Sequence, residues 1–315
     1  MKNTFILKRI EEKLKVLKKA RPFPPYLVNK LREQFSMEMN YNSNAIEGNT
    51  LTLRETMLVL QQGITVKGKS LKDHLEVKNQ AKAIEYLYDV VNSKKDVPLS
   101  EILIRNLHNL VVSNIDGLEA GSYRTYDVRI TGSKHTPPPA FEVPHRMHDL
   151  ISWYKKNKNS LDIITLATEF KHRFTAIHPF GDGNGRVSRL IMNIILMKAG
   201  YPIVVILKND RKKYYKALQK ADKGKIEDLV FFISQAVERS LDLYIRAIKN
   251  STKENTLMPL SKIAPKTKYD AEYLGLLVRN GKVAGVKDGR NWKTSLDAIE
   301  RYEMNKSRNS KKSTA

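Results

Sequence analysis

Apolar residues recur at helical spacing along most of the chain. Ile6, Ile10, Leu14 and Leu17 lie one turn apart and predict a helix over 6–20. The run RPFPP at 21–25 breaks it. Leu27, Leu31, Phe35 and Met39 predict a second helix, and residues 49–52 open a third stretch containing Glu55, Met57 and Leu60. Residues 62–70 read as a loop. Leu75, Val77, Ala81, Ile84 and Leu87 form the apolar side of a helix over 71–91. The same pattern predicts helices over 98–112, 147–155, 161–175, 211–221 and 226–248. The longest apolar stretch, 190–207, is interrupted by Asn193, Lys198, Gly200 and Pro202, so it reads as a buried helix, a turn and a short strand, not as a membrane span. One segment breaks the helical period. Val128, Arg129, Ile130 and Thr131 alternate briefly, Gly132 follows, and prolines cluster at 137–139, which predicts a short hairpin or flap over 128–144. The fold class is therefore all-α with one flap.

Residues 250–256 (NSTKENT) read as a polar linker, after which 260–302 has its own apolar pattern. The expected layout is an N-terminal helical region over 1–95, a core over 96–249, a linker over 250–259, a small unit over 260–303 and a tail over 304–315. That tail holds Lys306, Arg308, Lys311 and Lys312, no acids and no apolar period, and is expected to be disordered.

With 315 residues, two domains are expected, and 41 % hydrophobic residues exclude wholesale disorder. The absence of cysteine excludes disulfides, Cys-ligated metal centres and thiol nucleophiles. The first nineteen residues alternate apolar and charged positions, without the apolar block of a signal peptide. A cytoplasmic protein with no membrane partner is the expectation. The net charge of +23 favours phosphate-bearing partners.

The segment 178–189, HPFGDGNGRVSR, carries the most chemistry. Gly181, Gly183 and Gly185, with Asn184, permit backbone conformations closed to bulkier residues. The loop opens into a helix, so its amides and the helix N-terminus converge on one spot, an anion cradle. Arg186 and Arg189 are three apart on that helix and share a face, a spacing suited to polyphosphate. Asp182 can hold Mg²⁺ against phosphate oxygens. His178 can serve as a general base near neutral pH.

This segment resembles the Fic family motif, HPFx(D/E)GNGRxxR, at every specified position, and the likeness extends over about residues 1–250. The resemblance implies a Fic-type helical bundle and transfer of AMP from ATP to a hydroxyl side chain of a target protein. His178 would then deprotonate the target Ser, Thr or Tyr, and Asp182 would coordinate Mg²⁺. Gly183, Asn184 and Gly185 would bind the α- and β-phosphates through backbone amides, with Arg186 on the β-phosphate and Arg189 on the γ-phosphate. Pro179 and Phe180 would fix and pack the loop.

Upstream, Ser43, Glu47 and Gly48 resemble the inhibitory motif (S/T)xxxE(G/N) that many Fic proteins carry. A carboxylate swung onto Arg189 would occupy the guanidinium meant for the γ-phosphate. The plainer alternative is a helix end, with Glu47 exposed and Gly48 as its cap. Val128, Arg129, Ile130, Thr131 and Gly132 resemble the Fic flap, whose exposed edge could pair with an extended target segment. Tyr214 and Tyr215 match positions that line the family's adenine pocket. Adjacent helical residues point about 100° apart, so one of the two could instead pack in the core. His74, His108, His135, His145, His148 and His172 show no metal-ligand spacing and read as structural or surface groups.

Residues 260–302 resemble a small excisionase-like helix-turn-helix module, with a helix over 270–280, a wing-like turn over 282–290 and Trp292 leading into a last helix. From 251 to 315 there are 14 Lys and Arg against 7 Asp and Glu, compatible with DNA as a partner. A protein-recognition or dimerising module fits as well. Three functions therefore compete: a Mg²⁺- and ATP-dependent protein adenylyltransferase restrained by Glu47; a Fic enzyme removing AMP or transferring another phosphate group; and a DNA-binding regulator using the core as a nucleotide sensor. The protein substrate could be a second copy of the chain, and inhibition within one chain or across a homodimer is left open.

Overall fold

The computed structural model describes residues 2–115, 117, 119–130, 133, 135–254, 257–289 and 291–312. They form two units, Met1–Tyr244 and Ile245–Ala315.

The first unit is helical. Its helices are α1 (Lys2–Lys19), α2 (Pro25–Ile46), α3 (Leu53–Gln62), α4 (Leu71–Asn92), α5 (Glu101–Val112), α6 (Val143–Asn157), α7 (Ile163–Ile177), α8 (Asn184–Lys198), α9 (Arg211–Ala221) and α10 (Ile226–Glu254), the last running on into the second unit. Their starts follow local capping chemistry. Thr52 and Glu55 form a reciprocal capping box at α3, Ser70 caps α4, Ser100 caps α5, and Asp162 accepts from two amides of α7. α7 and α8 lie at the centre. Leu166, Ala167, Phe170 and Phe174 of α7 and Val187, Leu190, Ile191 and Ile194 of α8 are all buried. α4 and α5 pack on α8, and α2 packs on α4 and α8. The boundary expected at 95/96 is accordingly no structural break: helices on both sides of it share one core. α1 runs along α10, where Arg9 and Lys13 both pair with Glu238, and Lys13 also with Asp242.

Several expectations are corrected. The flap is not a β-hairpin: among the described residues of 127–139 there is no strand. Prolines at 137–139 remove the donors that a ladder needs. Thr131 and Gly132 lie outside the described residues. No strand forms over 201–207 either; Tyr201, Ile203, Val204, Val205 and Ile206 are buried in extended coil. The polar segment expected as a linker is helical through Glu254, as the end of α10.

The second unit holds β1 (Met258–Pro259), α11 (Leu260–Ile263), α12 (Ala271–Arg279), β2 (Gly285–Asp288), β3 (Asn291–Thr294) and α13 (Leu296–Lys312). The sheet is antiparallel in the order β1-β3-β2, with Met258 opposite Thr294 and Asp288 opposite Asn291. Ile263, Leu274, Leu277, Val278, Val283 and Ile299 form its core. α13 continues through Lys312, where a disordered tail was expected over 304–315. Once the packed half of that helix is nucleated, each added residue costs little, and Glu, Met, Lys and Arg are good helix formers. No described helix is long and apolar enough to cross a membrane.

Candidate active site

A cleft of about 530 Å³ opens where the end of α2, the α7–α8 loop, Arg129, Ile130, Ser133 and His135, and α9 meet. It is lined by His178, Gly181, Asp182, Gly183, Asn184, Gly185, Arg189, Glu47, Tyr214 and Tyr215, with Arg129 and Ile130 from the flap segment. Of the residues singled out in the sequence, Arg186, Ser43, Gly48 and Val128 are not among those that line it.

The α7–α8 loop is shaped by its backbone. His178 ends α7 at φ 51°, a left-handed conformation uncommon outside glycine, while its N–H still donates to the Phe174 carbonyl. Gly183 precedes α8 at φ 79°, where a β-carbon would be strained. Asn184 holds the turn closed from inside: its side chain accepts from the Phe180 N–H at 3.1 Å and donates to the Phe180 carbonyl at 2.8 Å. Phe180 is fully buried and stacks on His108, the rings 3.7 Å apart and nearly parallel. His108 Nδ1 accepts the Gly121 N–H, so its proton sits on Nε2 and is donated to the Asp182 carbonyl at 3.1 Å. Burial pushes the His108 imidazole down to about 4, so it works as a neutral splint.

His178 is half-buried at the cleft wall. Burial lowers its pKa first, and the Arg124 guanidinium lowers it further, outweighing the pull of Thr175, Glu47 and Asp182. The imidazole is therefore neutral at physiological pH and able to accept a proton. Arg124 itself went unnoticed in the sequence. Its buried guanidinium donates to the carbonyls of His178 at 2.8 Å, Tyr126 at 3.0 Å and Pro138 at 2.6 Å, and its N–H bonds the Pro179 carbonyl. One side chain thereby ties the flap segment to the loop that carries His178.

Asp182 projects into the cleft. Burial would raise its carboxyl, but Arg186, the Gly183 N–H at 2.5 Å and Lys72 at 3.4 Å hold it below the usual carboxylate range. Arg186 does not line the cleft. It is buried, ion-paired with Glu76 at 3.2 Å and 3.5 Å from Asp182. Glu76 in turn accepts from Asn49 at 2.9 Å. Arg186 thus supports Asp182 from behind, whereas the resemblance put it on a phosphate. Adjacent turns of α8 face different surroundings here, because Glu76 on α4 supplies a buried counter-charge that only the tertiary fold brings close.

Arg189 is 3 % exposed and fully engaged by the end of α2. Nε donates to Ser43 Oγ at 2.9 Å, Nη2 to the Ser43 carbonyl at 2.8 Å, and Nη1 meets Glu47 Oε1 at 2.7 Å. The contact forms within one chain. The Glu47 carboxylate also lies over the loop, where a β-carbon on Gly185 would collide with it. Gly48, at φ 104°, turns the chain away immediately afterwards, and Arg211 Nε caps α2 by donating to the Ile46 carbonyl at 2.7 Å. Tyr214 is buried, stacked on Phe232, and its hydroxyl accepts from Arg189. Tyr215 is half-buried, with Arg211 4.9 Å above its ring. The two tyrosines differ as helix geometry requires, one packed in the core side and one open to the cleft.

Among the described residues no group of three or more His, Asp or Glu is set up to hold a metal by itself. One ionised carboxylate facing a polyphosphate pocket is nevertheless the usual protein contribution to a Mg²⁺ site, the rest coming from phosphate oxygens and water. Asp182 fits that description.

Residues 98–196 match the model of the Fic/DOC family. The chain is 39 % identical over 208 residues to the protein adenylyltransferase Fic of Drosophila virilis and 38 % identical to that of Drosophila melanogaster, in each case over 66 % of this chain and 42 % of the relative. It thus spans less than half the length of these curated relatives. The crystal structure of a Fic domain containing signaling protein from Bacteroides thetaiotaomicron is 32 % identical with a TM-score of 0.70, covering 78 % of this chain and 97 % of the other. Fic-1 from C. elegans (residues 134–508) is 29 % identical with a TM-score of 0.72, over 79 % and 73 %. A loop that matches the motif at each specified position, and that this fold builds into an amide-lined cleft beside His178, agrees with these likenesses: the chain belongs to the Fic/DOC family.

Proposed function

We propose that the protein is an adenylyltransferase that moves AMP from ATP to a Ser, Thr or Tyr hydroxyl of a protein, and that Glu47 restrains it. The observation that carries this is the shared cleft: a neutral His178, an amide loop at the start of α8, and Arg189 engaged by a Glu47 that also covers that loop. In the reaction the target hydroxyl gives its proton to His178 as its oxygen attacks the α-phosphorus, and diphosphate leaves. The Gly183–Gly185 amides hold the phosphates, and Arg189 binds the γ-phosphate once Glu47 has moved. Asp182 would hold Mg²⁺, whose chemistry is to offset phosphate charge. Arg129 and Ile130, at the cleft edge, would contact an extended substrate segment. Incubation with α-labelled ATP, wild type beside Glu47→Gly, tests this. Label on protein is expected; labelled ATP left intact in both, or phosphate transferred from the γ-position, would overturn it.

For the second unit we propose DNA contact, supported by exposed Lys262, Lys266, Lys282 and Lys287 around α12 and the β2–β3 hairpin. Fluorescence anisotropy with duplex DNA should show affinity that falls steeply with salt and is lost on removing residues 256–315, while AMP transfer by the remainder persists. Equal retention with and without that segment would refute the contact.

A further inference from the structure

Lys171, on α7, has no role in the chemistry above, yet its surroundings are unusual. Its side chain is completely buried, and its ammonium finds no hydrogen-bond partner among the described residues. It sits 4.8 Å from the centroid of the Tyr214 ring, within cation–π range. The hydroxyl of that same tyrosine accepts from Arg189. Two cations thus meet one tyrosine, Lys171 at its ring face and Arg189 at its hydroxyl.

We propose that Lys171 is the rear half of the anion site, a positioning residue whose charge follows that of the anion facing Arg189, so that nucleotide binding is coupled to proton uptake. This rests on the reading of the cleft as a nucleotide site. A buried ammonium with no bonded acceptor is costly unless negative charge is near. The groups around it come from each neighbouring element. Arg189 on α8 opposes its charge; Glu47 after α2 and Asp222 after α9 favour it; Tyr214 on α9 offers its ring face; and His172, next along α7, is bonded to Asp222 at 2.9 Å. Burial and Arg189 together bring the lysine down to about 7. With Glu47 in place, its carboxylate offsets part of the charge of the two cations. When Glu47 leaves, Lys171 loses a favourable neighbour and sheds its proton more readily. A triphosphate arriving at Arg189 carries more negative charge than Glu47 and draws the proton back. Above about pH 7 the lysine gives up its proton more readily when the site is empty, which spares the site two uncompensated buried cations.

The sign follows directly. Above about pH 7 free Lys171 is increasingly neutral while the bound form is charged, so affinity falls with rising pH, by up to about tenfold per pH unit. Below about pH 7 the lysine is charged in both states and the dependence fades. Titration calorimetry of α,β-methylene-ATP with Mg²⁺, in two buffers of different ionisation enthalpy, reads the uptake. Glu47→Gly should take up more protons than wild type. Lys171→Met, nearly isosteric and neutral, should remove up to about one proton of uptake, flatten the pH dependence between 6.5 and 9, and raise KM for ATP with kcat little changed. The analogue's own γ-phosphate protonation is common to all variants and cancels in the comparison. Uptake in Lys171→Met equal to that of its parent would overturn the proposal. If that variant does not fold, equal uptake by wild type and Glu47→Gly overturns it as well. An analogue that binds no variant would instead sink the nucleotide reading, and this inference with it.

Discussion

Replacing Glu47 by glycine should raise AMP transfer about ten- to hundredfold. In the structure Glu47 Oε1 lies 2.7 Å from Nη1 of Arg189, which is 3 % exposed. A charge-assisted hydrogen bond of this kind contributes about 1.5–3 kcal/mol. At about 1.4 kcal/mol per tenfold, its loss corresponds to roughly a ten- to hundredfold gain in the population able to present Arg189 to the γ-phosphate. The same carboxylate covers Gly185, so its removal also uncovers the amides at the start of α8. The gain should appear in initial rates of label transfer from α-labelled ATP to protein. Arg189→Ala should not imitate it, because the γ-phosphate loses its partner together with the inhibitor, and the double variant should behave as Arg189→Ala alone. Glu47→Gly also leaves a buried guanidinium without its carboxylate, although Ser43 still accepts from it. The variant should melt below wild type without nucleotide and show the larger thermal shift on adding Mg²⁺-ATP. Equal transfer rates for wild type and Glu47→Gly on a substrate known to be modified would refute the restraint and leave Glu47 as a helix-end residue.

His178→Ala should abolish transfer while nucleotide affinity, read by calorimetry, stays near wild type, since the imidazole handles the hydroxyl proton and not the phosphates. Because burial and Arg124 lower the His178 pKa, loss of rate on acidification should set in below pH 6.5. A limb centred above that value would assign the base elsewhere. Asp182→Ala should lose most activity, as should wild type in EDTA; transfer undiminished by chelation would remove the metal role. Arg124→Met should lower kcat through a loosened His178 carbonyl, with proteolysis rising around residues 124–138, because its three carbonyl partners lose their donor. An unchanged kcat would show that the loop holds its shape without it.

The helical class and the glycine-rich loop were legible in the sequence for one reason: their determinants are local. His178 through Arg189 occupy twelve consecutive positions, and the φ values demanded at Gly183 and the turn closed by Asn184 depend on neighbours within four residues. Ser43 and Glu47 were legible only by resemblance, and their contact with Arg189 spans more than a hundred residues of chain. The remaining parts of the site depend on distance in space alone. Nothing around Arg124 in the sequence marks it as the tie to the His178 carbonyl 54 residues away, and nothing around His108 marks it as the splint beneath Phe180 and Asp182. Arg186 and Arg189 look alike on one helical stripe; Glu76 on α4 and Glu47 after α2 give them different partners. The flap failed as a hairpin because alternation over four residues cannot outweigh prolines that deny it a partner strand. Nothing around Lys171 in the sequence sets it apart from the other lysines. Only the packing of α8 and α9 over it removes its water, and the loss of that water lowers the pKa that a lysine ordinarily keeps.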